Sequence, residues 1–276
     1  MLELIISTAQ NDPRVRAVML NGSKANPFAN HDIFEDFDIV YLVTELESYK
    51  ANANWIDCFG QRMVLQCPDD FGDQASKDSY TYLMQFMDGQ RLDLTLKIGQ
   101  FNADSLSLLL LDKDNLVPAL APPSLADYLP QPPSNQTFFE CCNEFWWVCP
   151  YVAKGLWRKE MIYAQHHLEI LRQQLLQMLT WQIGAKTNFM LPLGKLGKHL
   201  PNYLMLEQQQ QFLQTYSNAE FTQAWRALRA LTKLFRSAAL EVASHFRLEY
   251  PFQDDAKVSA YLKHVQGLPR DATSIY

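Results

Sequence analysis

The chain has 276 residues, with 24 Lys and Arg side chains against 30 Asp and Glu, so its formal net charge is −6. This mild acidity argues against a protein that holds nucleic acid on a broad basic face, whereas an acidic cleft attracts small cations. Hydrophobic residues make up 48% of the sequence and aromatic residues 12%, which excludes a largely disordered chain.

No apolar run approaches the about 20 residues that a membrane helix needs, and we expect no membrane partner. The N-terminus lacks a basic segment ahead of its apolar residues, so we expect no signal peptide. The five cysteines show no C-x-x-C spacing. We therefore expect reduced thiols in a cytoplasmic protein and no structural zinc.

The first half of the chain combines one helical segment with several strand-like segments. A helix is expected near residues 2–10, and strands are expected near residues 17–20, 37–43 and 62–67. Asp88 and Gly89 form a strong hairpin-turn dipeptide, which predicts paired strands over residues 80–87 and 90–98. This half is therefore predicted to be α+β, with a mixed or antiparallel sheet.

Prolines mark the end of this half, since six of the chain's 14 prolines lie between Val117 and Gln136. Proline lacks the N–H that helices and sheets use, so we expect a linker there. Beyond it, apolar residues at three- and four-residue steps predict helices near residues 138–157, 159–183 and 221–246. Pro150 is expected to kink or interrupt the first of these helices. The pair Trp146 and Trp147 is expected in the core.

A glycine-serine turn and two acids stand out in the first half. Gly22 and Ser23 follow an apolar strand, and a glycine there lets backbone N–H groups approach a phosphate. Asp36 and Asp38 are two residues apart at the start of a strand, so their carboxylates share one face. Like charges this close repel unless a cation lies between them, and Mg²⁺ takes one or two carboxylates together with substrate phosphates. The pattern indicates a magnesium and phosphate site.

A third acid, Asp93, lies among aliphatic residues in the strand predicted after the hairpin turn. Residues 91–96 alternate in the way that is typical of a half-buried strand. If this strand lies beside the Asp36–Asp38 strand, three carboxylates converge on one sheet face. Two-metal phosphoryl or nucleotidyl transfer needs this arrangement.

In this order, the turn and the three acids resemble the nucleotidyltransferase superfamily, whose catalytic domain is DNA-polymerase-β-like. More narrowly, the chain resembles the aminoglycoside 6-adenylyltransferase family, the streptomycin adenylyltransferases. The resemblance rests on residues 19–23, 33–41, 91–96, 111–114, 141–146 and 151–156. It implies a nucleotidyltransferase catalytic domain over residues 1–130 and a helical acceptor-binding domain over 131–276, with the active site between them. Lys24 departs from the family, which usually has Arg, and a lysine meets a phosphate as a point charge.

The resemblance implies Mg²⁺-dependent transfer of AMP from ATP to a hydroxyl of an aminoglycoside, streptomycin at its 6-position, which gives antibiotic resistance. Asp36 and Asp38 are then expected to hold Mg²⁺, and Asp93 is expected either to ligate a second metal or to act as general base. Gly22, Ser23 and Lys24 are expected at the ATP phosphates, and no nucleic-acid partner is expected.

Residues of the helical half are further candidates for this site. Glu144 competes with Asp93 as base, because related enzymes use a Glu of the helical domain. Lys154 and Lys195 are candidates for contacts with the ATP phosphates, against the alternative of ordinary surface lysines. Tyr151 and Trp181 are candidate walls for the guanidinium groups of the acceptor.

A second class of function stays open at this point. Nucleotidyltransferase-fold proteins also act as toxin or antitoxin partners, and they modify or bind another acceptor, namely a helical protein. Such chains are usually much shorter and lack a large helical domain. The complete set of three acids and the long helical half therefore favour the enzyme.

Overall fold

In the computed structural model, which describes residues 1–28, 31–71, 76–101 and 103–276, the strands lie in the first half of the chain and the long helices in the second. The strands are β1 (Val15–Asn21), β2 (Phe37–Val43), β3 (Arg62–Gln66), β4 (Ser79–Phe86), β5 (Arg91–Lys97) and β6 (Leu108–Asp112). The helices are α1 (Leu2–Asn11), α2 (Glu47–Ala51), α3 (Asn135–Arg158), α4 (Met161–Thr187), α5 (Leu206–Leu213), α6 (Phe221–Phe246) and α7 (Phe252–Gly267). The chain divides into two units, Met1–Asp127 and Tyr128–Tyr276, and the division falls within the proline-rich stretch.

The sheet of the first unit is mixed. Across the described residues its six strands lie in the order β3-β4-β5-β2-β1-β6. β2 and β5 run parallel, and every other neighbouring pair is antiparallel. β4 and β5 are joined at Asp88 and Gly89, where Gly89 has φ of +87°, a conformation that glycine adopts without strain. The parallel pair places Asp93 of β5 beside β2.

One face of this sheet carries the apolar core of the first unit. Along β5 the three leucines are fully buried, while the residues between them are only partly buried. Ile5 and Ala9 of α1 belong to the same buried cluster, and the hydroxyl of Tyr41 donates a hydrogen bond of 2.5 Å to the carbonyl of Ile5. Because side chains alternate along a strand, Asp93 points to the opposite face.

The second unit is helical, with a core formed mainly by α3, α4 and α6. α3 begins after Ser134, whose hydroxyl accepts a hydrogen bond from the backbone N–H of Thr137 and so caps the helix. Phe145 of α3 stacks on Phe235 of α6, with ring centroids 3.7 Å apart. Burial of these apolar faces is the main source of stability for each helix.

Pro150 does not interrupt α3. A proline inside a helix removes a backbone hydrogen bond and destabilises the helix by about 3 kcal/mol. The neighbouring Cys149 and Val152 are fully buried in the helical core, and this burial offsets the loss. The helix therefore continues from Asn135 to Arg158.

The α+β class predicted from the sequence is confirmed. The predicted segments at the start of the chain and around the hairpin turn match α1, β4 and β5, and α6 has the predicted bounds. α2, β6, α5 and α7 have no counterpart among the predicted elements.

Within the described residues, no helix combines the length and the apolar character that a membrane span requires. All five cysteines are free thiols. Cys141, Cys142 and Cys149 are buried in the core of the second unit, where they pack as apolar side chains.

Candidate active site

The turn after β1 brings the backbone against a carboxylate. Gly22 follows the last residue of β1 and has φ of +72°, which favours glycine. A Cβ at this position would lie 2.1 Å from Oδ2 of Asp38. Any larger residue would therefore displace Asp38. Ser23 and Lys24 follow in a short 3-10 turn, Ser23–Ala25, whose first N–H groups have no partner inside the turn.

The strand register aligns two of the three predicted acids. Asp38 of β2 is paired with Asn21 of β1 on one side and with Asp93 of β5 on the other. Asp36 immediately precedes β2 rather than lying in it. We call Asp36, Asp38 and Asp93 the carboxylate cluster. The aliphatic neighbours of Asp93 along β5 face the core, whereas Asp93 faces the other side of the sheet, with its side chain 20% exposed.

Arg91 connects this cluster. Its guanidinium donates two parallel hydrogen bonds to Asp93, Nε to Oδ1 and Nη2 to Oδ2, each 2.8 Å long. Its Nε also lies 3.5 Å from Oδ2 of Asp36. The hydrogen bonds to Asp93 and the negative charges of Asp93, Asp36 and Asp38 raise the pKa of Arg91 above its ordinary value, against the opposing effect of partial burial. All three carboxylates therefore act on one guanidinium.

A second set of charges surrounds Lys24. Its Nζ lies 3.7 Å from Oε2 of Glu35 and 4.4 Å from the ring centroid of Phe37. The carboxylate of Glu35 is also 3.0 Å from Nδ1 of His31. Lys24 is thus held by a carboxylate and an aromatic face on the segment that leads into β2.

The other three predicted site residues lie in the second unit. Glu144 is exposed on α3, and Lys154 lies ten residues further along the same helix, which corresponds to about 15 Å along its axis. The Nζ of Lys154 is 4.9 Å from the ring centroid of Tyr151 and 5.5 Å from that of Tyr163. Lys195 is exposed in the short turn Lys195–Gly197 after α4.

Comparison with known proteins adds to this geometry. The family model described as streptomycin adenylyltransferase matches residues 1–265. The chain is 38% identical over 267 residues to the aminoglycoside 6-adenylyltransferase of Campylobacter jejuni. The aligned region covers 94% of this chain and 92% of that protein. The chain is 36% identical over 265 residues to the corresponding protein of Bacillus subtilis (strain 168), over 92% and 93% of the two chains. The chain belongs to the streptomycin adenylyltransferase family.

Membership of this family confirms the resemblance found in the sequence, and it confirms that the chain is an adenylyltransferase enzyme. A crystal structure of an aminoglycoside 6-adenyltransferase from Bacillus subtilis is also similar, with a TM-score of 0.49 and 30% sequence identity over 97% of this chain and 98% of that one.

The carboxylate cluster has the donor chemistry of a magnesium site. Asn21, the register partner of Asp38, has a buried side-chain oxygen without a hydrogen-bond partner among the described residues. Carboxylate and amide oxygens are the ligands that hard cations prefer. In the ranges that the structure describes, however, no three His, Cys, Asp or Glu side chains already surround a point where a metal ion could lie. The residues therefore fit Mg²⁺ by chemistry, while Arg91 holds both oxygens of Asp93.

Two expectations about aromatic residues are wrong. Trp147 is 62% exposed, whereas its neighbour Trp146 is buried, because consecutive residues of a helix point in directions about 100° apart. Trp181 is only 5% exposed and belongs to the helical core, so it cannot line a wall for a ligand. Trp147 and Tyr151 instead form an accessible aromatic pair on α3, with ring centroids 6.3 Å apart.

Arg91 and Glu35 are site residues that were not predicted from the sequence. Arg91 precedes Asp93 by two positions in a strand, so period-two spacing places both side chains on one face. The alternation of side chains along a strand, which places Asp36 and Asp38 on one face, would also have identified Arg91 as a site residue.

Proposed function

We propose that this enzyme transfers AMP from ATP to a hydroxyl of an aminoglycoside, with streptomycin modified at the 6-position of its streptidine ring and pyrophosphate released. The observation that carries the proposal is the alignment of Asp38 and Asp93 on adjacent parallel strands, with the Gly22 backbone against Asp38. The relatives named aminoglycoside 6-adenylyltransferase support the acceptor class. Modification of the drug would give antibiotic resistance.

Asp36 and Asp38 are the residues that we propose hold Mg²⁺ at the triphosphate. Asp93 would either ligate a second ion or act as the general base. When bound, Mg²⁺ would neutralise negative charge that develops on the phosphate oxygens. Two carboxylates together with substrate phosphates match the usual coordination of this ion in proteins.

The nucleotide phosphates would be bound by the turn after β1. Gly22 lets the backbone come close, and the N–H groups at the start of the Ser23–Ala25 turn suit an anion. Lys24 supplies a positive charge, which now lies between Glu35 and Phe37. Lys154 and Lys195 are proposed as further phosphate contacts, with Lys154 oriented by the rings of Tyr151 and Tyr163.

A carboxylate must accept the proton of the attacking hydroxyl. We assign this role to Asp93, because the register puts it next to Asp38, where a polarised hydroxyl would be easiest to deprotonate. Glu144 is the competing base, and it is exposed on α3.

The acceptor would be bound by the exposed face of α3. Glu144 and Trp147 are exposed there, one helical turn apart, and Tyr151 follows four residues later. A carboxylate pairs with a guanidinium through two hydrogen bonds, and an aromatic face stacks on its plane. Streptomycin carries two guanidinium groups, so a carboxylate next to aromatic rings on one helix face is suited to binding it. ATP as donor and the five free thiols both fit the cytoplasm as the place of reaction.

The test is product analysis by mass spectrometry after incubation with ATP, Mg²⁺ and a panel of aminoglycosides. We expect one drug to gain one AMP, and we expect Asp36→Asn and Asp38→Asn to lower the rate by about a hundredfold or more, since each removes charge that stabilises the transition state. Both variants should keep the thermal stability of the metal-free wild type, because each removes a like charge from the cluster.

Two results would count against the proposal. Full activity of either Asn variant would reject the metal ligands. Transfer of AMP onto a protein, with no drug modified, would favour the alternative of a nucleotidyltransferase-fold protein with a partner protein as its acceptor.

A further inference from the structure

Arg91 is a cation in direct contact with two carboxylates of the carboxylate cluster. It forms a two-pronged hydrogen-bonded pair with Asp93 and also lies 3.5 Å from Asp36. The side chains of Arg91, Asp36 and Asp93 are between 20% and 42% exposed, so water screens the pair only in part. The guanidinium therefore lies next to the carboxylates of both Asp36 and Asp93.

The guanidinium of Arg91 donates hydrogen bonds to both oxygens through which Asp93 would bind a metal ion. A guanidinium matches a carboxylate in shape, and each of its two N–H groups uses one oxygen. A divalent cation that ligates Asp93 must compete with these hydrogen bonds.

We propose that Arg91 is the internal counter-cation of the carboxylate cluster: without metal its guanidinium holds Asp93 beside Asp36, and a divalent cation has to displace it from Asp93. This inference rests on the proposed magnesium site, and on Asp93 as one of its ligands. Arg91 is therefore a positioning residue, which keeps three like charges together in the metal-free enzyme and limits the binding of cations in the absence of nucleotide.

The experiment measures cation binding and thermal unfolding of the full chain without nucleotide or drug. The proteins are the wild type, Arg91→Gln and the control Arg62→Gln, after removal of metal with a chelator. Arg62 lies at the start of β3 and pairs with Asp57 at 2.5 Å, so its replacement removes the same charge outside the cluster. Calorimetric titration with MgCl2 or MnCl2 gives the affinity, and circular dichroism gives the unfolding temperature with and without the ion.

Arg91→Gln should bind the cation about two- to fivefold more tightly than the wild type, which is the range expected for loss of a partly exposed ion pair. Its unfolding temperature should be lower in chelator and should rise more when the cation is added. Arg62→Gln should match the wild type in cation affinity. In the double variant Arg91→Gln with Asp93→Asn, the unfolding temperature in chelator should fall less below that of the wild type, because one of the mutually repelling charges has been removed.

Equal cation affinity and equal thermal response in Arg91→Gln and the wild type would overturn the role of Arg91 and leave the proposed magnesium site standing. Should Arg91→Gln fail to fold, Arg91→Lys replaces it, since a lysine keeps the charge without the fork. Tighter cation binding by Arg91→Lys supports the proposal, and unchanged binding overturns it. If Asp38→Asn binds the cation as well as the wild type does, the magnesium site and the inference fall together.

Discussion

At the scale of single residues, the candidate site depends on a glycine. We predict that Gly22→Ala lowers kcat/KM for AMP transfer by more than about tenfold, because the Cβ would lie 2.1 Å from Oδ2 of Asp38 and push that carboxylate out of register. Positive φ adds roughly 1 kcal/mol of strain to this clash. Steady-state kinetics and thermal unfolding measure the two effects.

Gly99→Ala is the matched control for this variant. Gly99 has φ of +86°, and a Cβ there would meet nothing within 4 Å. It should therefore lose stability through strain alone and keep its activity. Equal losses of activity in the two variants would show that strain, and not the contact with Asp38, explains the effect.

The choice of general base is also decided by single residues. We predict that Asp93→Asn lowers kcat by about a hundredfold, within the usual contribution of a general base, whereas Glu144→Gln lowers it by less than about tenfold. If Asp93 acts only as base, calorimetric binding of ATP in the presence of Mg²⁺ should change little. If it ligates metal, that binding should weaken as well. Full activity of Asp93→Asn would transfer the role to Glu144.

Single residues also show what the sequence alone could not settle. The spacing of Asp36 and Asp38 predicted a shared face, and Asp93 was expected to join them only if its strand lay beside theirs. The parallel pairing of β2 and β5 places the strand of Asp93 there. The environment of Trp147 was not predictable, because it depends on which neighbours α3 packs against. Apolar character identifies residues that can be buried, and the tertiary fold decides which of them are.

At the scale of elements, periodicity was informative where one face alone is buried. β4 and β5 alternate strictly between buried and partly buried residues, and α6 has a clear apolar stripe. The two strands and the helix were therefore predicted from the sequence. β6 is a run of four leucines without alternation, and α5 contains four consecutive glutamines. Neither sequence has the period of its element, and contacts made by the rest of the unit determine their structure.

The link between α6 and α7 gives a prediction at this scale. Asp255 of α7 is nearly buried and accepts hydrogen bonds from Arg236 (Nε to Oδ2, 2.5 Å) and from the hydroxyl of Tyr250 (2.7 Å). Burial alone would raise the pKa of Asp255, but hydrogen bonds from Arg236 and Tyr250 and the charge of Arg236 together lower it. Asp255→Asn should reduce the free energy of unfolding at neutral pH by about 1–3 kcal/mol.

The pH dependence of this loss follows from the direction of the shift. Because the pKa of Asp255 is lower in the folded than in the unfolded protein, its stabilisation is complete above the unfolded value of about 3.9 and is lost as the pH falls through the folded value. Urea unfolding of the wild type and Asp255→Asn should therefore differ near neutral pH and converge below about pH 4. A difference that stays constant down to about pH 3 would contradict the assignment.

At the scale of the whole molecule, the charge balance bears on the acceptor. The net charge of −6 attracts polycations to any acidic surface of the enzyme, and this attraction does not distinguish one aminoglycoside from another. Discrimination between drugs must come from short-range contacts. A guanidinium offers a planar, forked donor that an ammonium lacks, and the exposed Trp147 and Glu144 on α3 suit that shape.

We therefore predict AMP transfer to streptomycin in a competition with kanamycin, whose cationic groups are ammonium ions. The KM for streptomycin should rise with salt, because a Debye length of about 10 Å at 0.1 M shortens further as salt is added. Trp147→Ala should raise this KM about three- to thirtyfold, the loss expected for a stacked cation, with the KM for ATP unchanged. Transfer to kanamycin with none to streptomycin would refute the acceptor and leave the adenylyltransferase chemistry intact. An unchanged KM in Trp147→Ala would instead place the acceptor away from this face of α3.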